Sequence, residues 1–372
     1  MYLIKGNLQD YAWGIVDGLS PWRQEPASDF ATGKFEAELW FGAHPNGPSE
    51  LVEGEGGETL AHWVNESQVP ILVKLLAAAK PLSLQIHPNK HLATELLAKQ
   101  ESDPDSPRLL SDAEAKTEML IALTDFSALL GLREPALAAQ LIDGLGVEGT
   151  VAADQLRADE VAAAIRTLIG ASEEAVTAAE AELVGRMTAA GCDEPAIRAM
   201  QTVIENYSGD SGILVAALLE HHQLEPGDAL YAQAGIVHAY VSGIGVEIMV
   251  ASDNVFRLGL TPKTVAVDEA LAALDVGLES VTMSPPEEAI GEGGIGRVYA
   301  PVGSPFEVRS VESGAVTVDS GKYRLVLVTR GSATVSTGNE RIEVNQGEAI
   351  VVTADEPAVL VEAPGHTFIA QG

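Results

Sequence analysis

Cysteine and long apolar runs are both scarce in this chain of 372 residues. Cys192 is the single cysteine, which excludes an internal disulfide framework and fits a reducing compartment. The longest apolar runs, such as residues 213–219, are far too short to cross a bilayer. No basic N-terminal region precedes an apolar core and a small-residue cleavage site. We therefore expect a cytoplasmic protein without a membrane partner.

Positive charge is scarce as well. The chain has 22 Lys and Arg residues against 54 Asp and Glu residues, which gives a formal net charge of -32 at pH 7. Such a charge repels polyphosphates and anionic membranes, so no nucleic acid partner is expected. We attribute the acidity to solubility. An anionic substrate would therefore need a local basic pocket.

The chain is longer than one hydrophobic core usually serves, so we expect two or more units. Residues 1–133 mix short apolar alternations with turn residues, which is typical of strands and loops. The alanine-rich stretch that follows repeats Val161, Ile165 and Leu168 at helical spacing. The sequence predicts a mainly β fold with a discontinuous catalytic domain (1–133 and 208–280), an α-helical insertion (134–207) and a C-terminal β domain (281–372).

A short internal match links the two β regions. Residues 227–234 (GDALYAQA) align without a gap with residues 347–354 (GEAIVVTA). In this register His238 falls opposite Ala358. We interpret the match as two related β units, of which the second lacks a histidine at this position.

Residues 81–90 (PLSLQIHPNK) predict a strand with an unusual polar face. The two-residue period of a strand places Ser83, Gln85 and His87 on one side and apolar side chains on the other. The stretch follows an apolar run and carries no charge before Lys90. A binding cavity explains this polar face better than a solvent-exposed surface does. Residues 89–99, with leucines at helical spacing, predict a helix directly after the strand.

Four side chains are candidate metal ligands: Gln85, His87, Glu118 and His238. Neutral imidazole nitrogens with a carboxylate suit zinc and related divalent ions, and catalytic sites leave one position open. The two-residue spacing of Gln85 and His87 lets both reach one ion. Each residue taken alone is more simply explained as a hydrogen-bonded polar group.

The other histidines are not expected to bind metal. His87 and His91 have the i, i+4 spacing of helical zinc pairs, but Pro88 forces its preceding residue out of the helical region. We interpret the remaining histidines as surface or loop residues: His44, His62, His221, His222 and His366.

Four segments in a fixed order carry a specific pattern: residues 80–90 (KPLSLQIHPNK), 116–126 (KTEMLIALTDF), 238–243 (HAYVSG) and 252–263 (SDNVFRLGLTPK). Residues 11–14 (YAWG) and 38–45 (ELWFGAHP) extend it to the N-terminus. Together they resemble the signatures of type I mannose-6-phosphate isomerases, while residues 281–372 are matched only by type. The resemblance implies a cupin-type β-sandwich or jelly-roll fold, one Zn2+ per chain, and interconversion of mannose 6-phosphate and fructose 6-phosphate.

The family's metal ligands fall on the four candidates already named. The resemblance also implies catalytic roles for Arg257, Lys116 and Glu247, and substrate contacts for Lys263, Ser83 and Trp13. Thr117 stands where many relatives have proline, and Gln233 stands where a proline often precedes the metal-binding histidine. Both departures concern local loop geometry more than the chemistry.

The implied reaction moves a proton between C1 and C2 through an enediol, so the site must stabilise negative charge on two neighbouring oxygens. Zinc acting as a Lewis acid can contribute to that stabilisation. Arg257 and Lys263 are candidates for holding the phosphate, followed by Lys116 and Lys90. The base stays open between Lys116, Glu247 and a zinc-bound water. An ion pair with Arg257 or Lys263 explains Glu247 equally well.

Two alternatives use the same residues. Two histidines and a carboxylate also suit the non-haem iron of a cupin oxygenase, although Gln85 and the basic positions speak against it. A non-catalytic sugar-binding cupin would keep the fold and lose the chemistry. We expect a monomer that acts on a small hexose phosphate.

Overall fold

The structure is a computed structural model that describes residues 1–23, 31–52, 57–103, 105, 107–291 and 293–372. Strands dominate it, and the predicted mainly β fold is confirmed. The described strands are, in chain order, β1 (Tyr2–Lys5), β2 (Asn7–Gln9), β3 (Ile15–Val16), β4 (Phe35–Glu36), β5 (Glu38–Phe41), β6 (Glu50–Leu51), β7 (Ile71–Ala78), β8 (Gln85–Ile86), β9 (Glu118–Ala122), β10 (Phe126–Leu132), β11 (Leu219–Leu224), β12 (Ala229–Ala232), β13 (His238–Val250), β14 (Phe256–Arg257), β15 (Val281–Met283), β16 (Glu288–Ile290), β17 (Gly294–Tyr299), β18 (Glu307–Val318), β19 (Arg324–Val328), β20 (Ser332–Ser336), β21 (Arg341–Asn345), β22 (Glu348–Val352), β23 (Val359–Ala363) and β24 (Thr367–Gln371).

The helices cluster in the middle of the chain, as the alanine-rich pattern predicts. The described α-helices are α1 (Lys90–Ser102), α2 (Pro135–Ile142), α3 (Gly146–Arg157), α4 (Val161–Ile169), α5 (Glu173–Ala189), α6 (Glu194–Tyr207), α7 (Gly212–Ala216) and α8 (Val267–Ala273). Short 3-10 turns lie at Ser20–Trp22, Leu60–His62 and Glu66–Gln68. No helix in these ranges is both long enough and apolar enough to cross a membrane.

One antiparallel sheet, called here the site sheet, carries the predicted metal ligands. Its main path runs β15, β12, β9, β13, β7, β5, β2. Off this path, β10 and β8 both pair with β13 at His238, and β11 and β14 continue from β10 and β8 respectively. The central element is β13, because it pairs with β7, β8, β9 and β10. Side chains from separate parts of the chain therefore meet around β13.

The second sheet, called here the C-terminal sheet, follows the order β21, β20, β23, β18, β24, β19, β22, β1, β6. The N-terminal strand β1 pairs with β22, with Tyr2 opposite Val351. The N-terminal amino group forms an ion pair with Glu356 at 3.0 Å. The start of the chain thus belongs to the C-terminal sheet, and the division into three domains stays a prediction.

The two sheets share one apolar core. Leu75 and Ile248 of the site sheet lie in the same buried cluster as Leu325, Val351 and Phe368 of the C-terminal sheet. Full burial of such a side chain contributes about 1.5–3 kcal/mol relative to exposure. The shared core packs against one face of the site sheet and stabilises it.

Alternation along the strands places polar side chains on the opposite face of the site sheet. In β9, Met119 and Ile121 belong to the shared core. In the pairing of β9 with β13, Glu118 lies opposite Met249 and Leu120 lies opposite Glu247. Glu247 in turn lies opposite Lys74. Buried charges from three strands therefore share the face that points away from the shared core.

The internal match corresponds to similar local structure in the two sheets. Gly227 and Gly347 both have positive φ, 93° and 82°, and each precedes a buried strand, β12 and β22 respectively. Ala229 and Ala349, which align in sequence, both face the shared core. These are the features expected of two related β units.

Residues 81–90 form a shorter strand than their alternation predicts. Only Gln85–Ile86 is a strand, because Leu82 donates its N–H to the carbonyl of Tyr240 and Leu84 donates its own to the carbonyl of Gly259. The backbone thus bonds to two different segments and forms no continuous ladder before Gln85. The predicted helix follows as α1, which Asn89 caps by accepting the N–H of Leu92 at 3.0 Å.

Candidate metal centre and active site

Strand ends bring three of the predicted ligands together. His87 follows β8, Glu118 begins β9 and His238 begins β13. One ligating atom of each lies within 4.8 Å of the others, and all three residues are buried. His91 lies outside this group, exposed in α1. His87 precedes α1 and His91 lies within it, so the two histidines share no helix face.

The hydrogen bonds of both imidazoles aim their Nε2 atoms at the Glu118 carboxylate. His87 Nδ1 donates to the backbone carbonyl of Asn254 at 2.7 Å, and His238 Nδ1 donates to that of Ile236 at 3.1 Å. With Nδ1 protonated, each neutral ring leaves a lone pair on Nε2. His87 Nε2 is 3.5 Å from Glu118 Oε1, and His238 Nε2 is 3.3 Å from Oε2.

This arrangement fits a bound cation. His87 Nε2 is buried without a hydrogen-bond partner among the described residues. Electron-rich atoms that face one another in a buried site repel unless a proton or a metal ion lies between them. Backbone carbonyls that fix the imidazole tautomer are a general feature of histidine metal sites. The residues present therefore fit a divalent metal ion such as zinc.

Burial and charge shift the pKa values of His87 and Glu118. Burial lowers the pKa of His87 to about 4, against the opposing effect of Glu118. Burial alone would raise the pKa of Glu118, but the Lys116 ammonium beside it outweighs burial, and the pKa of Glu118 lies well below its usual range. Near neutral pH this gives a neutral imidazole beside a charged carboxylate.

Gln85 lies in a row with His238 and Arg257. It is opposite His238 in the β8–β13 pairing and opposite Arg257 in the β8–β14 pairing. Directly opposed residues of antiparallel strands point to the same face. The Gln85 side chain therefore lies on the same face of the sheet as the His238 side chain, as its predicted ligand role requires.

Arg257 is a half-buried cation without a protein anion. It makes no ion pair or side-chain hydrogen bond within the part of the chain that the structure describes. Burial lowers the pKa of its guanidinium below the ordinary value. A partly desolvated guanidinium beside a metal site is suited to bind an anionic group of a substrate.

Lys116 contacts the metal cluster directly. Its side chain is buried, and Nζ lies 2.9 Å from Glu118 Oε1. The next residue, Thr117, is the first departure from the family pattern, and its carbonyl accepts the N–H of Val250 at 3.1 Å. Lys116 thus forms a buried ion pair with one of the three clustered residues.

Glu247 pairs with a residue that the sequence did not single out. Lys74 Nζ lies 2.9 Å from Glu247 and 3.7 Å from Glu38, and 5.2 Å from the Trp40 ring centroid. Arg257 and Lys263, the partners considered from sequence, make no ion pair with Glu247 among the described residues. The available signal was a single lysine inside the otherwise apolar strand β7.

The side chains of Lys74, Glu38, Glu247 and Trp40, called here the Lys74 cluster, are all buried. Burial alone would lower the pKa of Lys74, but Glu247 and Glu38 outweigh it and raise that pKa. Burial raises the pKa of Glu247, in spite of Lys74. Burial also raises the pKa of Tyr240, which lies close to Glu247, well above its usual range. The two carboxylates thus depend on one cation.

Replacing Lys74 with methionine should lower the free energy of unfolding by about 3–5 kcal/mol, because it leaves buried carboxylates without their cation. Chemical denaturation of the purified variant measures this loss. Lys90→Met is the matched control, since its pair with Glu114 is exposed on both sides and should contribute at most about 1 kcal/mol. Equal denaturation midpoints for the two variants would contradict the prediction.

Two of the three predicted substrate contacts, Trp13 and Lys263, lie at an aromatic pair near the N-terminus. Trp13 stacks on Tyr11 with a centroid distance of 5.7 Å, and Lys263 Nζ lies 6.0 Å from the Tyr11 ring centroid. Ser83 is half-buried between Leu82 and Leu84. Their roles stay predictions.

His44 lies in a loop, as predicted, but it is only 7% exposed. Its Nε2 lies 3.3 Å from Asp253 Oδ1, and its ring meets Trp40 edge-on at 5.1 Å. A hydrogen bond from His44 lowers the pKa of Asp253. Asp253, which is distant in sequence, makes this burial favourable, and no local pattern indicates the contact.

The fold and the site define a class: mainly β proteins with a buried cluster of two histidines and a carboxylate that could hold a metal ion. Residues 1–135 match the family described as phosphomannose isomerase type I, catalytic domain. The mannose-6-phosphate isomerase of Homo sapiens is 31% identical over 299 residues, which cover 70% of this chain and 69% of the human protein. That of Escherichia coli is 28% identical over 393 residues, 98% of both chains.

Solved structures agree. The mannose 6-phosphate isomerase of Salmonella typhimurium, solved with its substrate and a zinc atom bound, superposes with a TM-score of 0.83 at 25% identity, over 100% of this chain and 99% of the other. The chain belongs to the type I phosphomannose isomerase family, and the resemblance seen in the sequence is confirmed.

Proposed function

We propose that this chain binds one zinc ion and interconverts mannose 6-phosphate and fructose 6-phosphate by proton transfer between C1 and C2 of the open-chain sugar. The observation that carries the proposal is the buried cluster of His87, Glu118 and His238 in a member of this family. Zinc is preferred to iron because the solved Salmonella relative holds zinc. Gln85 is proposed as the fourth ligand.

Zinc, when bound, would act as a Lewis acid toward neighbouring sugar oxygens. The chain's own residues must bind the phosphate, hold the sugar and move the proton. Arg257 and Lys263 supply cations for anionic groups of the substrate. Trp13, stacked on Tyr11, supplies an apolar surface for the sugar. Ser83 is proposed as a polar contact.

The proton carriers that we propose are Lys116 and Glu247. Both side chains are buried. Lys116 lies within contact of Glu118. The raised pKa of Glu247 brings this carboxyl closer to the range in which an acid or base works near neutral pH. Its ion pair with Lys74 fixes its position.

A coupled assay tests the proposal. Zinc-loaded protein is mixed with mannose 6-phosphate, and the appearance of fructose 6-phosphate is followed with a second enzyme. The reverse reaction is followed in a separate assay. A preparation with one zinc per chain and no activity on either sugar would overturn the proposal.

Asn254 should control zinc affinity without touching the ion. Its backbone carbonyl accepts a hydrogen bond from His87 Nδ1. Its side-chain amide nitrogen donates to the backbone carbonyls of Asp112 and Glu114 at 2.9 and 3.0 Å. It thereby joins one ligand to the loop that leads into Lys116 and Glu118. Loss of such support typically costs about 10–100-fold in metal affinity.

Asn254→Ala should therefore raise the zinc dissociation constant by about 10-fold or more. Competition with a chromophoric chelator measures the constant independently of activity. Asn46→Ala is the matched control, because the Asn46 amide donates to exposed Asp253 and not to the loop. Unchanged zinc affinity in Asn254→Ala would contradict the prediction.

A further inference from the structure

The connection between α6 and α7 touches two segments of the active site at once. Residues 207–212, called here the clamp, make up this connection. The hydroxyl of Tyr207 donates to the carbonyl of Pro81 at 2.7 Å. Pro81 begins the stretch that carries Gln85 and His87. The clamp thus contacts the same segment that carries two of the predicted metal ligands.

The second contact is made by Asp210. Its Oδ1 accepts the N–H of Gly212 at 2.7 Å, and its Oδ2 accepts the N–H of Thr261 at 3.2 Å. The Thr261 hydroxyl in turn accepts the N–H of Lys263 at 3.1 Å. Two hydrogen bonds therefore connect the Asp210 carboxylate to the backbone of Lys263.

Two glycines let the backbones meet at the same place. A Cβ built on Gly212 would lie 2.8 Å from the Gly259 Cα, and one built on Gly259 would lie 2.5 Å from the Gly212 Cα. Gly259 also has φ +126°, which side chains other than glycine rarely adopt. The clamp and the segment of residues 257–263 are therefore in direct backbone contact.

The segment held in this way has an unfavourable backbone conformation. Leu260 has φ 56°, a left-handed value that is unusual for leucine, and is 1% exposed. Such a conformation persists only where surrounding contacts impose it. Leu84 pairs with the segment on one side, through Leu258 and Gly259. Asp210 and Gly212 supply the contacts on the other side.

We propose that Asp210 is a positioning residue for substrate binding: it acts through Thr261 to hold the backbone of Lys263 where the side chain can meet the phosphate. The inference rests on the proposed function, since it assumes that Lys263 binds the phosphate of the substrate. The junction after α6, where the predicted helical insertion ends, then has a function in the active site.

The test separates this role from a general loss of stability. Asp210→Ala should raise the KM for mannose 6-phosphate by about 10-fold, because it weakens the proposed contact of Lys263 with the phosphate. A change of this size corresponds to about one hydrogen bond to a charged group. The kcat should stay within about twofold, because only binding is weakened, and one zinc per chain should be retained. Asp210→Asn, which keeps the size and one acceptor oxygen, is the second variant if the alanine variant does not fold.

Asp193→Ala is the matched control. Asp193 caps α6, the helix that precedes the clamp, by accepting the N–H of Ala196 at 2.8 Å, and it contacts no part of residues 257–263 by an ion pair or side-chain hydrogen bond within the described chain. It should lower the melting temperature and leave the KM unchanged. A KM change of equal size in Asp193→Ala and Asp210→Ala would show a merely structural effect and would overturn the inference.

A double-mutant cycle completes the test. If Asp210 acts through Lys263, Asp210→Ala should add no further KM increase in a Lys263→Ala background. Full additivity, or an unchanged KM in Lys263→Ala alone, overturns the inference while leaving the isomerase activity in place. Zinc-loaded wild-type protein that is inactive on both sugars overturns the proposed function, and the inference with it.

Discussion

Replacing Glu118 with glutamine is expected to remove both the bound zinc and the isomerase activity. Glu118 is the carboxylate toward which His87 and His238 direct their Nε2 atoms, at 3.5 and 3.3 Å. Glutamine keeps the shape and removes the charge that offsets the cation. Loss of a group that only orients a ligand already costs about 10–100-fold in metal affinity, so loss of this charge should cost more than about 100-fold.

Zinc content and chelator competition measure the affinity, and the coupled assay measures turnover. Glu114→Gln is the control, because Glu114 is an exposed carboxylate whose partner is Lys90. It should keep one zinc ion and full activity. In the wild-type protein, chelation should abolish activity and added zinc should restore it. A Glu118→Gln protein that keeps zinc with wild-type affinity would disprove the assignment of Glu118 as a ligand.

The metal cluster could be predicted from sequence because its signals are local and chemically distinctive. A Gln and a His two residues apart, followed by proline, predict two ligands that can reach one ion. Glu118 and His238 are candidates by residue type, and the family resemblance implies the same four ligands. The three residues that the structure brings within 4.8 Å are all among the four candidates.

The Lys74 cluster could not be predicted because its members are distant in sequence and individually ordinary. A lysine in an apolar strand is unusual, but its partners Glu247 and Glu38 come from β13 and β5. Only the register of the site sheet places them together. The same holds for the pairing of β1 with β22, which joins opposite ends of the chain. Long-range strand pairing leaves little trace in local periodicity.

The helices between residues 135 and 207 and the junction after them show a related limit. Helical spacing correctly predicts that Val161, Ile165 and Leu168 are buried. It does not predict that the residues after α6 contact the active-site segment, because that contact depends on two glycines and one aspartate with no periodic pattern. The backbone approach of Gly212 and Gly259 is visible only in three dimensions. Local sequence therefore predicts elements better than it predicts their junctions.

The second large effect is expected for Arg257→Ala, which should abolish most turnover while zinc stays bound. The Arg257 guanidinium is half-buried, lies opposite Gln85 in the β8–β14 pairing, and has no ion pair within the described ranges. A preorganised cation aimed at developing negative charge contributes far more in a partly desolvated site than in water. Removing one such donor typically lowers kcat by about 100–1,000-fold.

Arg257→Lys provides the control, because lysine keeps the charge and loses the bidentate geometry. It should recover part of the activity that alanine loses. The ratio of effects on kcat and KM then locates the interaction: a fall in kcat with little change in KM means that Arg257 acts on the transition state, whereas a rise in KM alone means that it only anchors the phosphate. Since Arg257 lies in the row of Gln85 and His238, next to the metal centre, we expect the effect on kcat to dominate. Wild-type kcat in zinc-loaded Arg257→Ala would refute this role.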